Sequence, residues 1–382
     1  MWSWLAFACL AVSAAGCLYL CAATVLVSRF GAKWTEPSKV SPSVTILKPL
    51  HDTEPGLEES LLSFCTQDYP GPVQIIFGVK DASDPAAGVV SALISRFPDK
   101  PFELVVDRRR HGSNDKISSL VNMAERLRHE VVVLADSDMR VGPDYLARIV
   151  GELQRPSVGG VTCLYHGIPA NGIWSRLSAL GIDAHFLPNV VVGVLLGLAR
   201  PCFGSTIALR RSTLDEIGGF KAFADILADD YAIGAALRDR GHAVALPPFV
   251  IGHVCTESSL KELWSHELRW ARTIRAVDAA GHAGLILTHP LPFALLGGLF
   301  GGGTAALALA ATAVVCRIVL CRRVERAFGL MPHPYWLLPL RDLLSFAIFV
   351  ASFFGTSVSW KGRDYRVTPE GNLVPERRQP LP

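Results

Sequence analysis

The sequence has no CxxC pair, although it contains nine cysteines, and Cys17 and Cys21 lie inside one long apolar run. Such spacing supports neither a zinc site nor a disulfide framework, so reduced thiols are expected. Charge is also scarce. Only 19% of residues are charged, and 37 basic against 34 acidic residues leave a net charge of +3. That balance lacks the basic surface needed to bind a polyanion, so no nucleic-acid partner is expected. No internal repeat or low-complexity tract is evident.

In three stretches charge is missing altogether: Trp2 to Ser28, Ala279 to Cys316, and Leu343 to Trp360. Uncharged apolar runs of about 18 residues or more read as membrane-spanning helices. The first run lacks the basic segment that opens a secretory signal and is long for one. Arg29 and Lys33 follow it directly, and by the positive-inside rule they place the middle of the chain in the cytoplasm. "GGLFGGG" leaves two options for Leu285 to Leu320, one long span or a broken hairpin. "EPSKVSPS" (Glu36 to Ser43) reads as a short polar linker.

Between the outer apolar regions the pattern alternates. "SVTILKPL", "VQIIFGVKD", "FELVVD" and "EVVVLADSD" read as buried strands. "GLEESLLSFCTQ", "AAGVVSALISRF" and Lys116 to Arg128 read as the helices between them. Near-continuous apolar strands alternating with helices predict an α/β fold with a parallel sheet covered on both faces. Ligands of such sheets bind at the carboxyl ends of the strands, where Asp81, Asp107 and Asp136 stand. After Val141 the alternation loosens. Trp174 to Ser205 is apolar but interrupted by Asp183, His185, Pro188 and Arg200, and it is expected to be a buried or membrane-surface helix.

Four clusters carry candidate chemistry. In "VKDASDP", Asp81 and Asp84 can accept hydrogen bonds from a base or a ribose hydroxyl, or serve as turn residues. Asp136 and Asp138 in "LADSD" suit Mg²⁺ or Mn²⁺ carrying a diphosphate, with a local role such as a helix cap as the alternative for Asp138. Asp229 and Asp230 in "ADDY" read either as helix-start residues or as supplying a general base, a carboxylate that takes a proton from an attacking hydroxyl. In "HELRWARTIR", Arg269, Arg272 and Arg275 recur at helical spacing beside Trp264 and Trp270. That is the pattern of an interfacial helix, and equally of an arginine that stabilises a departing diphosphate.

Taken in order, "KDASD", "DSD", "ADDY" and "HELRW" resemble the motifs of the GT-A, family 2-type glycosyltransferases of the ceramide glucosyltransferase-like branch. In that branch three aspartate motifs precede (Q/R)xxRW. Within it, "LKPLHDTEPGLEESLLSFCTQDYPGPVQIIFGVKD", "RHGSNDKISSLVNM", "RPCFGSTIALRRSTLDEIGGF" and "HELRWARTIRAVD" are similar to the bacterial hopanoid biosynthesis-associated glycosyltransferases. The resemblance implies an N-terminal transmembrane helix over 1–30, a cytoplasmic GT-A domain with a Rossmann-like, mostly parallel sheet over 41–280, membrane or interfacial helices over 284–358, and a basic cytoplasmic tail over 359–382. It also implies inverting transfer of N-acetylglucosamine from a UDP-sugar to a hopanoid hydroxyl at the bacterial inner membrane, with glucosylation of ceramide, a sphingolipid acceptor, as the alternative.

The roles it implies are residue by residue. Asp81 and Asp84 hold the uridine, Lys116 lies near the nucleotide, and Asp136 with Asp138 binds Mg²⁺ or Mn²⁺ and the diphosphate. Asp230 is the base, Arg269 stabilises the leaving group, and Trp270 helps to form the acceptor site. One position departs from the pattern. His266 opens the last motif in place of Gln or Arg, and its charge depends on pH near neutrality. A sugar nucleotidyltransferase would normally carry a glycine-rich phosphate loop near its N-terminus, and "SVTILKPLHDTEPG" has none.

Overall fold

The computed structural model describes residues 2–32 and 40–355, together with the backbone of strands 357–360, 363–367 and 373–375. Half of the expected linker, residues 36–39, and the side chains of the basic tail lie outside the described residues. The chain divides into two units. A sheet unit takes Trp34–Ala170, Pro201–Thr256 and Tyr365–Pro382, and a helical unit takes Met1–Lys33, Asn171–Arg200 and Glu257–Asp364.

The sheet unit contains ten strands before its C-terminal segment: β1 (Val44–Pro49), β2 (Val73–Val79), β3 (Phe102–Val106), β4 (Val131–Leu134), β5 (Met139–Arg140), β6 (Val158–Thr162), β7 (Leu164–Pro169), β8 (Ile207–Arg210), β9 (Ala243–Ala245) and β10 (Val250–Cys255). Seven form the main sheet, in the order β3-β2-β1-β4-β8-β6-β9. β3, β2, β1 and β4 run parallel, whereas β8 is antiparallel to both its neighbours. A second sheet has the order β5-β10-β7.

The apolar strands are continuous because both faces are covered. Ile46, Ile75, Phe77 and Val133 pack into one core with Phe64 and Leu93, while Leu47, Ile76, Val132 and Leu134 pack into another with Ile117 and Leu120. Burying each such side chain contributes about 1.5–3 kcal/mol. Asp84 caps the helix Pro85–Arg96 through Ala86 N at 3.0 Å, with Pro85 in its first turn. Asn114 caps the helix Asp115–Ala124 through Ile117 N at 3.1 Å.

Among the described residues of the helical unit, four helices are long and apolar enough to cross a membrane: Ser3–Gly31, Gly172–Leu195, Gly303–Phe328 and Tyr335–Ser352. A fifth candidate is bent by 65° between Ala279–Thr288 and Pro290–Leu299, where Pro290 cannot continue the helical ladder. "GGLFGGG" breaks the run. Gly301 and Gly303, with φ of 96° and 53°, separate Pro290–Leu299 from Gly303–Phe328, giving the broken alternative.

Two segments of the 41–280 stretch, Asn171–Arg200 and Glu257 onward, make their contacts in this unit. Leu177, Leu180 and Leu263 pack there against Cys321, Leu337 and Leu338. The helix Gly172–Leu195, expected to be buried or interfacial, has 67% of its most apolar stretch buried in the protein. Its middle is a π-helical turn, Ile182–Phe186. Pro188 has no N–H, so the Ala184 carbonyl four residues back lacks its α-helical donor, and Arg317 Nη1 donates to it at 2.8 Å. The buried Arg317 guanidinium also meets Asp342 at 3.0 Å. Asp342 in turn lies 2.9 Å from His185 Nε2, and Asp183 pairs with His333 at 2.7 Å.

Candidate active site

Strand order reverses between β1 and β4, so the carboxyl ends of these two strands form the crevice in which such sheets take their ligands. Asp136 follows β4 at that point, with its Oδ1 2.6 Å from Lys116 Nζ. Lys116 lies in the first turn of the helix capped by Asn114, and its ammonium also faces Asp229 Oδ2 at 3.5 Å. Burial alone would lower the pKa of this amine. The carboxylates of Asp136, Asp229 and Asp230 outweigh it and hold the pKa above the ordinary lysine value. Lys116 is therefore a fixed cation among three acids.

Asp229 and Asp230 open the helix Asp229–Asp239, whose N-cap is Ala228, so neither aspartate is the cap. Asp229 is buried and accepts a bond from Asn114 Nδ2 at 3.3 Å. Burial pushes the half-buried Asp230 up to about 6; Asp229 acts in the same direction and Lys116 opposes it. Asp230 Oδ2 accepts the Gly204 N–H at 2.9 Å, and the Gly204 carbonyl accepts Asp136 N–H at 3.2 Å. One peptide segment thus ties both acids together. A Cβ at residue 204 would lie 2.7 Å from Asp136 Oδ2 and 2.9 Å from Lys116 Nζ, so only glycine fits this approach undisturbed.

Asp138 does not cap a helix. The next one, Tyr145–Leu153, has Asp144 at its N-cap. Asp138 Oδ2 instead stands 3.4 Å from His253 Nδ1 on β10, and its carbonyl accepts Val254 N–H at 2.9 Å. Its Oδ1 is buried without a hydrogen-bond partner. An orphaned carboxylate oxygen beside an imidazole suits a divalent cation. Among the described residues no three His, Cys, Asp or Glu side chains gather closely enough to hold a metal alone. That sparse donor set fits Mg²⁺ or Mn²⁺, which fill their shells with water and substrate phosphates.

Lys48, at the end of β1, was not singled out by the sequence reading. It is fully buried, sits 3.9 Å over the Phe64 ring, and donates to the Asp136 carbonyl. Burial pulls its pKa down to about 7 against the opposing charges of Asp138 and Asp136.

Asp81 and Asp84 form a separate cluster in the turn after β2. Asp81 Oδ1 accepts the N–H and hydroxyl of Ser83, each at 3.0 Å, and its other oxygen pairs with Arg108. The Ser83 bonds, followed by Arg108, hold its carboxyl below the usual range. Asp84, besides its cap bond, accepts Asp52 N–H at 3.0 Å, and Asp52 has the unusual φ of 64°. Asp84 is thus committed to holding the loop after β1. Asp107 pairs with Arg109 at 2.6 Å.

His266, Arg269 and Trp270 share the helix Leu260–Val277 of the helical unit. His266 Nδ1 is 2.6 Å from Glu257 Oε1, and its ring meets Trp270 edge-on with centroids 4.3 Å apart. Burial works to raise the Glu257 pKa, but the hydrogen bond and charge of His266 outweigh it and hold the carboxyl below its ordinary value. Arg341 grips Glu267 in a two-pronged pair and donates to Leu177 O at 3.1 Å, fixing this helix to its neighbours. Neither Glu257 nor Arg341 could be singled out from the sequence, since each acts through a partner far away along the chain.

The sequence profile of glycosyl transferase family 21 matches residues 8–373. The chain belongs to that family. It is a glycosyltransferase with a GT-A-like fold. It is similar to ceramide glucosyltransferase 1 of Caenorhabditis elegans, with 22% identity over 88% of this chain and 74% of that one. It is also similar to the β-monoglucosyldiacylglycerol synthase of a Synechocystis strain, 25% identical over 60% of this chain and 47% of that one. Among solved structures, the mannosyltransferase PcManGT of Pyrobaculum calidifontis, in complex with GDP-Man and Mn²⁺, matches with a TM-score of 0.55 and 21% identity. That match covers 93% of this chain and 99% of the other, and at this identity it is a likeness of fold.

Proposed function

We propose that this family 21 glycosyltransferase moves a sugar from a UDP donor to a lipid hydroxyl, with inversion at the anomeric carbon. The observation that carries the reading is the Gly204 bridge. It joins Asp136, the acid of the diphosphate motif, to Asp230, the acid whose pKa is raised toward neutrality. Asp136 and Asp138 would hold Mg²⁺ or Mn²⁺, which supplies positive charge to the leaving diphosphate. Lys116 adds a fixed cation to the same end. Asp81 is assigned to the uridine by its motif, whereas Asp84 serves through the loop it caps.

Asp230 takes the proton from the acceptor hydroxyl as that oxygen attacks the anomeric carbon. The bond from that carbon to the diphosphate oxygen breaks, and UDP leaves. A single base with no nucleophile assigned beside it makes this one displacement rather than two. Arg269 and Trp270, by the resemblance of their motif, are assigned to the leaving group and the acceptor.

The acceptor we favour is a hopanoid such as bacteriohopanetetrol, and the sugar is N-acetylglucosamine; the stretches quoted from the sequence support this choice. Glucosylation of ceramide is the second reading, supported by the likeness to ceramide glucosyltransferase 1 across most of the chain. The apolar helices support a membrane location, and Arg29 with Lys33 supports a cytoplasmic catalytic unit, which would be the inner face of a bacterial inner membrane. Mass spectrometry of lipids, after membranes carrying the protein are incubated with UDP-N-acetylglucosamine or UDP-glucose and either acceptor, tests the reading. An N-acetylhexosamine on the hopanoid, absent with Asp230→Asn, is expected. Transfer only to ceramide would select the second reading, and transfer to neither lipid would reject both.

A further inference from the structure

A lysine with no exposed surface at the end of a core strand is costly, because its ammonium loses its hydration and an apolar side chain would pack there more cheaply. Lys48 alternates in phase with Ile46, on the face of the sheet that packs against Phe64, and its ammonium rests on that ring at 3.9 Å. From there it reaches the main-chain carbonyl of Asp136, the first residue of the Asp136–Asp138 turn. The rest of the turn is held from outside by His253 and the Val254 N–H. Lys48 is the tether from within.

We propose that Lys48 is a positioning residue for donor binding: it fixes the main chain of the Asp136–Asp138 turn so that the two carboxylates are preset for a divalent cation and the diphosphate it carries. Being fully buried, Lys48 acts through the turn and not on the substrate. This rests on the donor-site assignment of Asp136. UDP with one divalent cation keeps a net negative charge, so loss of the lysine charge and displacement of the turn both weaken its binding, and Phe64→Leu, which keeps the charge, separates the two.

The test measures UDP binding by calorimetry in saturating Mn²⁺, alongside thermal unfolding, for the full-length protein in detergent. Lys48→Met should unfold no earlier than the parent, since a buried charge is replaced by a chain of similar length, yet bind UDP about tenfold or more weakly. Phe64→Leu keeps the lysine but removes its seat, and should weaken UDP binding several-fold should the methionine variant not fold. Parental UDP affinity in either folded variant, with or without a loss of stability, overturns the proposal. Asp136→Asn separates the two claims. If it retains parental Mn²⁺-dependent UDP binding, the donor-site reading fails and the role of Lys48 with it. If it loses binding while Lys48→Met keeps it, only the role of Lys48 is overturned.

Discussion

Lys116 Nζ lies 2.6 Å from Asp136 Oδ1, and the same ammonium faces Asp229 at 3.5 Å. One cation thus serves the acid at the end of β4 and the pair that opens the helix Asp229–Asp239. Without it, three carboxylates would face one another in a largely buried setting, and the anionic diphosphate would meet uncompensated negative charge. Lys116→Met is therefore expected to weaken UDP binding by about 10- to 100-fold, measured by calorimetry. A variant with parental affinity would remove Lys116 from the donor site.

Asp230 gives a pH signature. Its carboxyl titrates at about 6 in the folded protein, against 3.8 for an ordinary aspartate. A base works only when deprotonated, so sugar transfer should rise as pH passes upward through about 6. The stability effect has the opposite sign. Between these two values the folded state binds more protons than the unfolded one, so stability falls as pH rises through the window. Asp230→Asn should consequently lose about 10²- to 10⁴-fold in turnover while melting no lower than the parent at neutral pH. Parental turnover in a folded variant would rule out the base assignment.

Gly204→Ala probes the bridge between the two acids. The backbone of Gly204 has an ordinary φ, so alanine imposes no conformational strain there. The atoms nearest its Cβ would be the tips of Asp136 and Lys116, which can move at small cost. Folding should survive with a change in melting temperature of a few degrees, while transfer falls by about tenfold or more as the acids are displaced. A large loss of stability with unchanged specific activity would contradict this account.

These residues differ in how visible they are along the chain. β1 and β4 are legible because both faces of the sheet are covered, leaving near-continuous apolar runs that end at Pro49 and Asp136. Asp136, Asp229 and Asp230 stand out because acids next to buried segments need a reason. Gly204 is invisible because its role is the space that it leaves. Lys48 looks like a simple interruption of a strand until Phe64 and the Asp136 carbonyl are seen around it. Asp84 caps a helix, a use that the same turn sequence favours as readily as a ligand contact. Gly172–Leu195 makes contacts in the helical unit with residues far along the chain, Cys321, Leu337 and the Arg317–Asp342 pair among them, and no local pattern encodes these.

That pairing supports a last prediction. Arg317 donates to the Ala184 carbonyl, which Pro188 leaves without its α-helical donor, and it neutralises the buried Asp342. Arg317→Met removes both services at once, together with the bond that the same guanidinium donates to the Thr288 carbonyl, and should cost about 3–5 kcal/mol of stability, read as a lower unfolding temperature in detergent. The two services can be separated. Pro188→Ala restores an N–H opposite Ala184, so in the Arg317→Met background it should recover part of the loss, and Asp342→Leu should recover part by removing the unpaired acid. If Pro188→Ala restored nothing while Asp342→Leu restored most, the guanidinium would be there for its charge, and the π-helical turn would not depend on it.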